Sequence, residues 1–173
     1  MQARRVPSPN FNSRPEQTEV SLLVIHNISL PPDQFGGSHI CDFFSNSLDV
    51  SCHPYFEEIA DLQVSAHLLI DREGNLTQFV SFDDRAWHAG ESCYEGRDNC
   101  NDYSIGIELE GTDDIPYSDH QYEVLAAVTR LLSIQYSTIT KQRIVGHSDI
   151  APGRKTDPGS TFDWLRYFSA MGV

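Results

Sequence analysis

Ser104-Ile-Gly-Ile-Glu-Leu-Glu110, followed by Ser118-Asp-His-Gln121 and the run to Tyr136, decides the fold class. Side chains alternate along a strand, so Ile105, Ile107 and Leu109 fall on one face and Gly106, Glu108 and Glu110 on the other. Beyond it, Tyr122, Leu125, Ala126, Thr129, Leu132 and Tyr136 form one stripe at helical spacing. That spacing predicts a helix over 119–136. Ser118 and Gln121 match a capping box at its start. A strand feeding a long amphipathic helix points to a sheet with helices packed on it.

Working outward, Val20 to Ile25 is a short apolar run of strand length that leads straight into His26. Pro31, Pro32 and Gly36-Gly37 mark a loop. Ile40, Phe43, Phe44 and Leu48 predict a helix over 39–48, and Tyr55, Phe56 and Ile59 a shorter one. From 63 to 80 apolar residues alternate around a turn at Asp71-Arg-Glu-Gly-Asn75, which reads as a β-hairpin. Residues 83–103 carry many Gly, Asp, Asn and Cys residues with little periodicity, and a loop of that length is usually functional. Ile144 and Val145 make a short strand into His147, residues 148–160 are turn-rich, and Phe162, Leu165 and Phe168 fit a terminal helix. Residues 1–18 are polar and proline-rich and read as a surface arm; 19–173 form one domain. The expected class is α+β (mixed α/β), a single domain with a central mixed β-sheet flanked by helices.

The chain has 173 residues, enough for one core without staples. Twelve basic against 25 acidic residues give a net charge of −13. A polyanion binder needs a basic field, so nucleic acid and anionic membrane surfaces are excluded as partners. No apolar run reaches the length of a membrane span. The N-terminus, broken by Pro7, Pro9 and Pro15, lacks the apolar core of a secretory signal, so the protein is expected to stay where it is made. Cys41, Cys52, Cys93 and Cys100 form no C-x-x-C pair and are read as reduced.

Three places put polar groups at the ends of apolar strands: His26, His147 and the loop Ala151-Pro-Gly-Arg-Lys-Thr-Asp-Pro-Gly159. Two imidazoles and one carboxylate suit a single zinc ion that keeps a position open for water. Asp157 is the best carboxylate, since ten residues after His147 allow the loop to fold back. In an extended segment Lys155 would project to the same side as Asp157. Glu108 is either catalytic or a solvated partner of Glu110. His67 reads as structural, His88 as groove lining, and His39, His53 and His120 as surface positions. No H-E-x-x-H helix, G-x-S-x-G elbow or Walker loop is present.

Val24-Ile-His26-Asn27, Ser65-Ala-His67, Ala86-Trp-His-Ala-Gly90, Ser104 to Gly111, Val145-Gly-His147 and Pro152 to Gly159 occur in one order. That series resembles the zinc amidases of the peptidoglycan-recognition-protein fold. More narrowly it is similar to the AmpD type, the cytosolic 1,6-anhydro-N-acetylmuramyl-L-alanine amidases of bacterial cell-wall recycling. The resemblance runs from Ala3 to Trp164. It implies His26, His147 and Asp157 as zinc ligands, Glu108 as proton acceptor and Lys155 as stabiliser of the transition state. It further implies an anhydro-muropeptide substrate and a cytoplasmic setting, and nothing in the sequence demands more than a monomer. A muropeptide carries carboxylates, so the groove should be locally basic. Arg85, Arg97 and Arg154 are the candidates, with Asn27 and Trp87 for sugar or amide contacts. Alternatively these arginines balance acids such as Asp84 and Asp98. Three other readings remain at this point: a binding protein that does not cut, an amidase of broader scope, and a zinc peptidase with an unrelated substrate.

Overall fold

The strand expected over 104–110 forms with those bounds, and all seven of its residues are buried. A strand dry on both faces needs a covering layer on each side. The computed structural model describes residues 2–172. In chain order its elements are β1 (Arg4–Arg5), β2 (Phe11–Ser13), β3 (Leu22–Ile28), α1 (His39–Phe44), α2 (Pro54–Ile59), β4 (Leu68–Ile70), β5 (Leu76–Gln78), β6 (Asp84–Ala86), β7 (Cys93–Tyr94), β8 (Arg97–Asp98), β9 (Ser104–Glu110), α3 (Asp119–Gln135), β10 (Ile144–Gly146), α4 (His147–Ile150) and α5 (Trp164–Met171). Six strands make one sheet of order β1-β5-β4-β9-β3-β10. β4, β9, β3 and β10 are mutually parallel, and β5 pairs antiparallel with β4. The sheet is therefore mixed, as expected.

Alternation along β3 and β9 sorts the two layers. Leu23, Ile25, Ile105, Ile107 and Leu109 meet Leu125, Ala126 and Leu132 of α3 and Tyr167 of α5. Burying one such aliphatic side chain stabilises by roughly 1.5–3 kcal/mol, so this helical layer dominates the core. The capping box of Ser118 and Gln121 forms at the start of α3. On the opposite face Leu22 and Val24 pack with Ala89, Cys100, Tyr103 and Val145. Here the cover is the 83–103 segment, which also holds β6, paired with β2, and the β7–β8 ribbon. Helices α1 and α2 pack over Leu69, Phe79 and Val80.

Four details differ from the sequence reading. β3 continues to Ile28, because β9 offers backbone partners as far as Glu110, so His26 lies inside the strand. α1 stops at Phe44, and Asn46 turns the chain at φ 57°. In α5 it is Tyr167 and Met171 that are buried, while Leu165 is 82% exposed. The helix is rotated so that the Tyr167 hydroxyl meets Thr129 of α3. Finally, the expected surface arm stays exposed along β1 and β2 but pairs there with β5 and β6. The Arg14 guanidinium donates to the carbonyls of Phe82, Asn101, Asp102 and Ser104. Burial lowers its pKa to about 10. The four cysteines are free thiols.

Candidate metal centre and active site

β9, β3 and β10 are adjacent and parallel, so their carboxyl ends open on one edge of the sheet. That edge is where open α/β sheets place ligands. His26 pairs in register with Glu108 on β9, and Ile25 with Gly146 on β10. Glu108, His26 and His147 thus stand in a row across three strands. Both His26 and Glu108 are in phase with Val24 and Gly106, on the face covered by 83–103. Asp157 reaches the row from the loop that follows. Ser148 N–H donates to the Asp157 carbonyl at 3.0 Å. Gly146 permits this approach, because a Cβ there would lie 2.7 Å from Pro158 Cδ. The 151–159 segment is not extended: Lys155 N–H donates to Ala151 O and Gly159 N–H to Thr156 O. Turns, rather than alternation, bring Lys155 and Asp157 to the same cavity.

His26 Nδ1, His147 Nδ1 and Asp157 Oδ2 form a nearly equilateral triangle, with edges of 3.0, 3.2 and 3.1 Å. Ligand bonds of ~2.0–2.1 Å in a tetrahedron give edges of about 3.3 Å. The residues present therefore fit a zinc ion in both spacing and donor chemistry. Burial lowers the His26 pKa to about 4, against the opposing pull of Asp157. A neutral imidazole and an ionised carboxylate are the forms that bind metal.

Glu108 is 8% exposed, and its Oε2 has no hydrogen-bond partner among the described residues. Burial pushes its carboxyl well above the ordinary range, Asp157 adds to the rise, and Lys155 opposes it. Such a perturbed acid in a cleft is a mark of a working site. Glu108, Lys155 and the donor triangle line a cavity of about 310 Å³. Its other wall is apolar, from Phe43, Phe44, Tyr55 and Ile59 of α1 and α2. The sequence reading missed this wall. The helical stripes that could have revealed it read equally well as core.

Of the expected substrate contacts, Asn27 and Trp87 line the cavity. Asn27 donates to Asp113, and Trp87 Nε1 to Asn12. Arg85 and Arg97 do not line it. Arg85 pairs with Asp102, a more distant acid than Asp84, and Arg97 stacks 3.9 Å over the Tyr103 ring. Arg154 donates to Ala89 O and Glu91 O and lines a neighbouring depression with Asn27 and Lys155. His67 is structural, accepting Gly106 N–H on Nδ1. His88 lines the cavity and touches His26 Nε2 at 2.9 Å.

Residues 16–160 match the family described as N-acetylmuramoyl-L-alanine amidase. The chain is 59% identical over 165 residues to the 1,6-anhydro-N-acetylmuramyl-L-alanine amidase AmpD of Escherichia coli (strain K12), covering 95% of this chain and 90% of that protein. A crystal structure of a selenomethionine AmpD derivative superposes with a TM-score of 0.95 at 56% identity, covering 97% of this chain and 93% of that one. The Escherichia coli amidase AmiD, solved in complex with the substrate anhydro-N-acetylmuramic acid-L-Ala-D-γ-Glu-L-Lys, superposes with a TM-score of 0.64 at 27% identity. That match covers 92% of this chain and 61% of the AmiD chain.

Proposed function

The chain belongs to the N-acetylmuramoyl-L-alanine amidase family, and on that premise we propose that it hydrolyses the amide between 1,6-anhydro-N-acetylmuramic acid and L-alanine of muropeptides, in bacterial cell-wall recycling, with one zinc ion. The observation that carries this reading is the convergence of His26, His147 and Asp157 beside Glu108 at one end of a half-apolar cavity. Four free thiols, two of them exposed, suit a reducing cytoplasm. No helix among the described residues is long and apolar enough to cross a membrane.

A zinc ion held by the three donors supplies Lewis acidity toward water and the scissile carbonyl. The protein's own part is then proton handling and charge. Glu108 Oε2 accepts the proton of the attacking water and returns one to the departing alanine nitrogen. The amide C–N bond breaks, and a carboxylic acid and a free amine result. The Lys155 ammonium faces the carbonyl oxygen as it becomes negative. The apolar wall of α1 and α2 excludes water and strengthens both interactions.

Incubation with 1,6-anhydro-N-acetylmuramyl-tripeptide, followed by mass spectrometry, tests the reading. Free tripeptide and anhydro sugar should appear, vanish with a chelator and return with zinc. An intact substrate in the presence of bound zinc would instead favour a protein that binds without cutting. Lys155→Ala should lower kcat by roughly 10²–10³, the cost of losing one oxyanion donor, with zinc content unchanged. Steady-state kinetics beside metal analysis checks it, and wild-type kcat would remove Lys155 from the mechanism.

A further inference from the structure

Both imidazoles of the triangle turn Nδ1 inward, and both set Nε2 against the same two-residue segment, His88-Ala89. Two carbonyls, which can only accept, fix where the protons are. Ala89 O lies 3.1 Å from His147 Nε2, so that nitrogen carries the proton, and in the neutral ring Nδ1 is the bare one. For His26 the chain is longer. Ser104 Oγ lies 2.6 Å from Cys100 O and must spend its one proton there. It can then only accept from His88 Nε2, at 3.1 Å. His88 Nδ1 is left bare and accepts from His26 Nε2 at 2.9 Å. His26 Nδ1 is thus bare as well. Asn101 Oδ1 holds the segment by accepting the N–H groups of both His88 and Ala89, at 3.0 and 2.8 Å. Gly106 reserves space for the His88 ring, since a Cβ there would lie 2.4 Å from its Cγ.

We propose that His88-Ala89, clasped by Asn101, is the positioning element of the metal centre. It locks His147 through a carbonyl and His26 through the relay His88–Ser104–Cys100 O, so that both offer an unprotonated Nδ1 to the ion. The inference rests on the zinc reading above. Its consequence is that the two Nδ1 atoms and Asp157 Oδ2, 3.0–3.2 Å apart, form a donor set whose lone pairs converge on one point. Outer partners of metal-binding histidines fix ring orientation and raise basicity, and losing one typically costs about 10–100-fold in metal affinity.

The test uses the full chain, labelled with ¹⁵N-histidine, first freed of metal. Long-range proton–nitrogen spectra should show His26, His147 and His88 each protonated on Nε2. His88→Phe should shift His26 toward the other tautomer and weaken zinc, measured by chelator competition, by roughly 10–100-fold. His88→Asn, whose amide oxygen can stand where Nδ1 stood, should recover most of that loss. A role in packing alone would not produce this rescue. Ser104→Ala should move the His88 and His26 signals in the same direction, and it serves if His88→Phe does not fold. A wild-type His26 protonated on Nδ1, or unchanged zinc affinity in His88→Phe, would overturn the proposal. If the wild type takes up no zinc, the zinc reading fails, and the tautomer spectra still decide the relay.

Discussion

Glu108→Gln is expected to bind zinc as the wild type does and to lose about 10²–10⁴ of kcat, the usual contribution of a positioned base. The substitution keeps size and shape but removes the acceptor of the water proton. The change should fall on kcat rather than KM, because Glu108 is needed only as the water reacts. Stability should move the other way. The buried carboxyl has its pKa raised above the unfolded value. Without metal the native state therefore holds a proton that the unfolded state releases, and stability of the metal-free protein falls as pH rises from the unfolded pKa through the folded one. Glutamine escapes that loss. Without metal at pH 7, Glu108→Gln should melt above the wild type, whereas at pH 4 the two should converge. Full turnover in this variant, with zinc bound, would remove Glu108 as the base.

Asp157→Ala is expected to lose stoichiometric zinc and, with it, all measurable turnover. The carboxylate supplies the only negative charge of the triangle and stands 3.2 and 3.1 Å from the two Nδ1 atoms. Two neutral imidazoles alone do not hold zinc against competitors. The contrast with Glu108→Gln separates binding of the ion from its use. In the wild type, zinc at 1,000 times its dissociation constant should stabilise by about 4 kcal/mol and raise the melting temperature. In Asp157→Ala that rise should vanish. Thermal melts with and without zinc, beside metal analysis, decide it. Wild-type zinc affinity in Asp157→Ala would mean that the ion is held elsewhere.

How far the sequence could be read depended on the range of the interaction that settles each point. β9 and α3 are governed by local alternation, helical spacing and a capping box, and both were legible nearly to the residue. That His26, His147 and Asp157 belong together was suggested by two apolar runs leading into histidines, by a loop long enough to fold back, and by the family resemblance, but the form of the triangle was not legible. That Asp157 arrives by turns over Gly146 depends on a contact between residues 146 and 158 that no periodicity announces. Leu165 continued a plausible stripe, yet the rotation of α5 is set by Tyr167 meeting Thr129. Arg85 and Arg97 looked basic and available; Asp102 and the Tyr103 ring engage them through tertiary placement. His88 was read as groove lining, and its tie to His26 needed the sheet to be assembled.

Arg14 gives one more consequence. Its guanidinium gathers Phe82, Asn101, Asp102 and Ser104, residues from both ends of the 83–103 segment, so one side chain closes the neck of that loop. The chain entropy of closing a long loop is thereby offset at its base, and the rest is left with short spans to order. The order of events on heating follows. Release of the N-terminal segment should open the neck and loosen Asn101, and His88 and Ala89 with it, while α3 and α5 remain folded. A trimmed protein lacking residues 2–14 would then keep its helical signal and lose its grip on the ion.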